Sequence, residues 1–144
     1  MAQTNYINSL SSSDCTDYLN KLVLSTGEKL PDPYSIPSEE WIADMSKWPA
    51  ITWPDIYSYL IEKPSVYTKD SLRAYKSLDA YNYVLCGHVQ NLKCFDTSSG
   101  FCALRAGILP SQRQGLKAKP YDAWVYVHRD IGYILTANCT CMAG

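Results

Sequence analysis

The chain has 144 residues, which fits one domain or one small domain with an N-terminal extension. Its 47% hydrophobic content allows a core of modest size, and with no apolar run approaching about 18 residues no membrane-spanning segment is expected. The net charge of −1 hides an asymmetry: residues 1–70 carry ten Asp/Glu and five Lys, whereas residues 71–144 carry eight Lys/Arg and four Asp. The two halves therefore offer different surfaces to a charged partner.

Residues 1–13 are polar and Ser-rich without an apolar h-region, so no secretory signal is expected. An intracellular setting, the nucleus included, follows, and there the six cysteines are expected as thiols rather than disulfides. Cys15, Tyr18, Leu19, Leu22 and Val23 recur with the spacing of an amphipathic helix. Ser13 is placed to cap that helix, Asp14 and Asp17 suit its first turn, and Gly27 is placed to stop it. Residues 30–37 (LPDPYSIP) hold three prolines and predict an extended linker. Ser38 is then expected to cap a short helix, with Glu39 and Glu40 against its N-terminal dipole. A third helix is expected from Thr52 to before Pro64, and a fourth from a Thr68 cap through Leu72, Tyr75, Leu78, Tyr81 and Leu85 to Gly87.

After Gly87 the apolar period becomes strand-like. Strands are expected over 88–95, 101–109, 121–128 and 133–138, with 97–100 (TSSG) as one turn and 129–132 (RDIG) closing a hairpin. Trp124, Tyr126 and His128 alternate with Val125 and Val127, so the hairpin should have one aromatic and one aliphatic face. The expected fold class is α+β: N-terminal helices followed by an antiparallel sheet. Three regions are expected: 1–37 (helix and Pro-rich linker), 38–87 (helical) and 88–144 (sheet).

Cys139 and Cys141 leave the last strand as a Cys-x-Cys pair. Residues two apart on a strand share a face, so both thiolates can clamp one edge of a tetrahedral zinc ion, which needs four Cys or His ligands in a structural site. The stretch from Tyr121 to His128, followed by Gly132 to Gly144 (GYILTANCTCMAG), resembles the opening of a SWIM-type zinc finger. That family's pattern is Cys-x-Cys, a spacer, then Cys-x-His, on a β-hairpin followed by a helix. Upstream, Trp48-Pro49, Asp55-Ile56, Tyr59-Leu60-Ile61, the run from Leu72 to Tyr83, Gly87 and Leu109-Pro110-Ser111-Gln112-Arg113 extend the likeness to a group of animal SWIM-type proteins. Longer members of that group carry a YqaJ-type, phage-exonuclease-like nuclease domain downstream. The resemblance spans roughly residues 38–144, with the zinc-finger portion from about 121. It implies Zn2+ as cofactor, with Cys139 and Cys141 as two of its four ligands. The chain ends at Gly144, before the expected Cys-x-His, so it is expected to be an N-terminal fragment carrying half of the site. Cys86, His88, Cys94, Cys102 and His128 are the remaining internal candidates, and none shows ligand spacing.

Between Asp96 and Asp122 there is no acid, while Arg105, Arg113, Lys117 and Lys119 supply four positive charges. A loop of that kind attracts phosphate, which makes Arg113, Lys117 and Lys119 the candidate nucleic-acid contacts and DNA a candidate partner. The competing reading is a solvated loop between strands. Tyr75, Tyr81 and Tyr83 can stack on bases, or serve as core with their hydroxyls at its rim.

No Gly-rich phosphate loop, H-E-x-x-H or G-x-S-x-G is present, so no catalytic residue is assigned and an enzyme is not expected. Asn138-Cys139-Thr140 fits the N-glycosylation pattern only formally, given the absence of a signal. The expected function is a truncated zinc-binding SWIM-type module that mediates nucleic-acid or protein interaction. The alternative is an accessory domain of a YqaJ-type DNA exonuclease whose catalytic part is absent. Neither a membrane nor a small-molecule substrate is expected.

Overall fold

The computed structural model describes residues 5–49, 89–109 and 120–140. The third and fourth expected helices, Cys86, His88, Arg113, Lys117, Lys119 and Cys141 lie outside the described residues. Strands β1 (Val89–Asp96), β2 (Phe101–Ile108), β3 (Tyr121–His128) and β4 (Ile134–Cys139) form one antiparallel sheet in the order β1-β2-β3-β4. Two short helices, α1 (Asn5–Ser9) and α2 (Ser12–Asn20), precede it. The arrangement is α+β in a loose sense.

The turns explain why each strand ends where it does. Thr97 Oγ1 donates to the Phe101 carbonyl at 2.8 Å, and Gly100 takes a φ of +83°, closing β1 onto β2. Between β3 and β4 the Gly132 amide donates to the His128 carbonyl at 2.8 Å, with Gly132 at φ +82°. Both positions need the left-handed backbone that glycine adopts without steric cost. The β2–β3 ladder runs unbroken from Phe101↔His128 to Ile108↔Tyr121. On β1 two residues, Asn91 and Leu92, bulge opposite one on β2, and Asn91 takes φ +55°.

Pairing sorts the side chains onto two faces. Phe95, Phe101, Ala103, Arg105, Trp124, Tyr126 and His128 share one face, as the alternation in residues 124–128 anticipates. Cys94, Cys102, Leu104, Val125 and Val127 share the other, and Trp48 packs there. Both faces are buried: Cys102, Ala103 and Leu104 are consecutive and all inside.

The aromatic face is covered by the N-terminal segment. Tyr18, Leu22 and Leu30 join Ala103, Trp124 and Tyr126 in one cluster, with Tyr6, Ile7, Leu10, Tyr34 and Trp41 around it. Tyr126 is fully buried and donates its hydroxyl to the Pro31 carbonyl at 2.6 Å, which removes the penalty of an unpaired buried phenol.

Four expectations for this segment are corrected. Helix α2 is capped by Ser11, whose Oγ accepts from the Asp14 amide at 3.2 Å, and Ser13 lies inside it. It stops at Asn20, well before Gly27, so the stripe fails beyond Tyr18: Leu22 packs inward from a turn, while Leu19 (45%) and Val23 (38%) are exposed. Gly27, at φ +88°, closes a tight turn from Leu24, and Val23 bridges Lys29 across it. Residues 30–37 hold a 3-10 turn, Pro33–Ser35, capped by Asp32, and Leu30, Pro33 and Ile36 are core residues. The prolines there fix a covering strap against the sheet. Ser38 opens the next 3-10 turn, Ser38–Glu40, instead of capping it; Pro37 holds the cap position with no side-chain hydrogen bond.

Candidate functional site

Strand β4 ends on Cys139, which pairs with Ala123 of β3, and the ladder continues one residue further. The Thr140 amide donates to the Asp122 carbonyl at 3.0 Å, and the Asp122 amide donates to Thr140 Oγ1 at 2.9 Å. The backbone is therefore held on both sides of the half-buried Cys139.

The preceding residue adds a second anchor. Asn138, 6% exposed, accepts from Lys21 Nζ at 2.9 Å and donates through Nδ2 to Tyr6 Oη at 3.1 Å and Tyr34 Oη at 3.4 Å. Lys21 caps the C-terminal end of α2, so this amide ties the N-terminal helices to the end of β4. Its burial also leaves the formal glycosylation acceptor closed off in this fold. Nothing in the residue pattern signals a partner 117 positions away.

The other candidate ligands are not brought to Cys139. His128 lies at the turn end of β3, five residues from Ala123, about 17 Å along the strand. Its ring packs edge-on against Phe101, and Nδ1 accepts from the Ile131 amide at 3.3 Å. Cys94 is on β1, three strand spacings or roughly 14 Å from β4. Cys102 pairs with Val127 on β3, at the opposite end of the ladder from Ala123. Among the described residues, no group of three or more His, Cys, Asp or Glu is placed to hold a metal ion; of the expected Cys139 and Cys141 pair, Cys139 is the one described. Its soft sulfur donor suits zinc, and a closed site needs three further ligands.

Cys94 and Cys102 instead form a thiol cluster inside the aliphatic face. Arg129 donates to Cys102 Sγ at 3.5 Å and pairs with Asp96 at the edge. Burial pushes the Cys102 thiol up to about 12, with the Asp96 charge acting in the same direction, and raises Cys94 likewise. Thiols held protonated in this way are poor nucleophiles and poor metal ligands at neutral pH. Cys15, Cys94 and Cys102 are free thiols.

The acid-free stretch also changes character. Arg105 belongs to β2, and its fork is committed: Nε donates to Asp122 Oδ1 at 2.8 Å, a second nitrogen to Oδ2, and Nη1 to the Pro33 carbonyl at 3.0 Å. The guanidinium lies 5.2 Å from the Tyr34 ring centroid and 5.6 Å from that of Trp41. It is a structural clamp between sheet and strap, not a free phosphate contact. The connection bearing Arg113, Lys117 and Lys119 leaves the sheet after Leu109 and returns at Pro120, the end at which Cys139 also sits.

Beside the clamp is a cleft of about 470 Å3 between the strap and the open end of the sheet. Tyr34, Ile36 and Trp41 form one wall, Asn91, Lys93 and Gly107 part of the floor, and Pro120 the rim. Sequence reasoning missed it because its sides are far apart in the chain.

Comparison of the chain with protein-family models, with curated proteins and with solved structures found no match. No helix among the described residues is long and apolar enough to cross a membrane.

Proposed function

We propose that the chain is a binding module of SWIM type, in which the β3–β4 hairpin presents Cys139 and Cys141 as the first two ligands of a structural zinc site. The observation that carries this reading is the anchored strand end: β4 terminates on Cys139 while Thr140 remains laddered to Asp122. A rigid support of this kind lowers the entropic cost of gathering ligands around a metal. The Cys-x-His that the resemblance places downstream would complete the tetrahedron. Zinc would then contribute folding energy and fix the chain that follows the hairpin. The partner in this reading is nucleic acid, approached through the connection with Arg113, Lys117 and Lys119, which shares one end of the sheet with the zinc site.

Elemental analysis of the protein, in a form that includes a Cys-x-His after the hairpin, tests the metal. About one zinc per chain is expected, lost when Cys139 and Cys141 are both changed to Ser. Absence of zinc from that form, or retention of it by the double variant, would overturn the assignment. A salt-dependent gel shift with Arg113→Ala and Lys117→Ala tests the partner, and unchanged affinity removes that connection as a contact.

A further inference from the structure

Lys93 and Arg105 stand directly opposite each other on paired strands, both on the aromatic face. Like charges in that position oppose folding. Arg105 is neutralised by Asp122, which accepts two of its hydrogen bonds. For Lys93 the structure records no hydrogen bond or ion pair with any described residue. Among the described residues, therefore, nothing offsets the Lys93 charge in the cleft, and Glu39 and Glu40, which follow Ser38, do not line it. Beside Lys93 the strand bulges, and Asn91, which lines the cleft, takes φ +55°. Bulges and left-handed non-glycine residues gather where a fold aims side chains at a ligand.

The walls and the size narrow the class. Ile36, Trp41 and Pro120 offer an apolar side, while Lys93 and Asn91 offer a cation and an amide. A volume of about 470 Å3 exceeds the need of a lone inorganic anion and falls in the range of organic-ligand sites. Pro120, at which the basic connection returns to the sheet, lines the cleft. We infer that the cleft seats one nucleotide unit of a nucleic-acid strand. Lys93 takes the phosphate, Asn91 hydrogen-bonds beside it, and the base lies along the Ile36–Trp41–Pro120 wall. The inference rests on the nucleic-acid part of the proposed function and gives it an address that does not involve the zinc ligands.

The test uses the full chain, with an eight-residue thymidine oligonucleotide, thymidine monophosphate and inorganic phosphate as probes. Binding is read by quenching of tryptophan fluorescence and by anisotropy of a labelled oligonucleotide. Lys93→Gln keeps the length of the side chain and removes the charge. It should weaken oligonucleotide binding about five- to tenfold at low salt and lower the salt slope by about 0.7, the value for one phosphate contact on a single strand. Lys29→Gln, on the exposed Val23–Lys29 bridge, should leave both unchanged. Without ligand, Lys93→Gln should unfold at the same or a higher urea concentration, because it removes the opposed charge; a lower midpoint counts against the like-charge premise. If the oligonucleotide binds equally well with and without Lys93, the cleft assignment fails while the nucleic-acid reading stands. If only the mononucleotide binds, and Lys93 matters, the cleft stands and the strand partner fails. Equal binding of inorganic phosphate removes the nucleotide, and no binding by any probe overturns both.

Discussion

Replacing Asn138 by Ala tests the tie between the end of β4 and the N-terminal segment. The substitution deletes the acceptor for Lys21 Nζ and the donor to Tyr6 Oη, together with the longer contact to Tyr34 Oη. A hydrogen bond to a charged group contributes about 1.5–3 kcal/mol, and a neutral one about 0.5–1.5 kcal/mol. Lys21 is half-buried and retains a 3.4 Å contact to the Ala137 carbonyl, which favours the lower end of the first range. The expected loss is roughly 3 kcal/mol. With an m-value near 2 kcal/mol/M, the urea midpoint should fall by about 1.5 M. Equilibrium unfolding followed by tryptophan fluorescence reads this directly. Lys21→Met and the double variant complete a cycle whose coupling should be about 1 kcal/mol or more. A midpoint for Asn138→Ala within about 0.3 M of the parent chain, at unchanged m-value, would refute the account of Asn138 as an anchor.

Alkaline pH should destabilise the fold in two stages. Burial raises the phenols of Tyr18, Tyr34 and Tyr126, reinforced at Tyr18 by its hydrogen bond to Asp32, and burial also raises Cys94 and Cys102. Folded values above unfolded ones mean that stability is complete below the unfolded values. It is lost above about pH 8.5 for the thiols and about pH 10 for the phenols. Above pH 10 the three phenols alone give a slope of about −4 kcal/mol per pH unit, and Tyr126→Phe should reduce it by about a third; a slope that does not change sinks the argument. Alkylation mapped by mass spectrometry should modify Cys15 in the native protein, and Cys94 and Cys102 only on unfolding. Arg105→Met should cost about 2–3 kcal/mol, because Asp122 and the Pro33 carbonyl lose their donor, and Trp41 should become more accessible to a quencher; a variant as stable as the parent would show the clamp to be idle.

The sheet was legible because its signals are local. Alternation in 121–128 and glycines at 100 and 132 mark strand ends that match the structure to within a residue or two. The N-terminal segment was not, because its order is decided by tertiary contacts. Leu22 and Val23 fit a helical stripe, yet burial of Leu22 against the sheet is satisfied from a turn. Three prolines in 30–37 read as punctuation, although Pro33 and Leu30 fill the core. Arg105 was counted into a basic stretch bounded by Asp122, and that boundary residue is its partner, brought near by the β2–β3 register. For the candidate site, the Cys-x-Cys pair was visible in sequence, whereas Asn138, Lys21 and the cleft depend on contacts between distant segments.

A sheet covered on both sides has a consequence for how the chain can vary. In a half-exposed strand every second position tolerates polar replacement, but along β2 Cys102, Ala103, Leu104 and Ala106 are all inside. Inserting one residue there would exchange two different packing environments, an aromatic one and an aliphatic one, rather than merely turning a core outward. Tolerance should instead collect at the tips, where Ile131 is 70% exposed beside Asp130. Insertions or labels placed at residues 130–131 are therefore expected to leave the sheet intact, and that tip is the natural handle for tethering the protein with the Cys139 end left open.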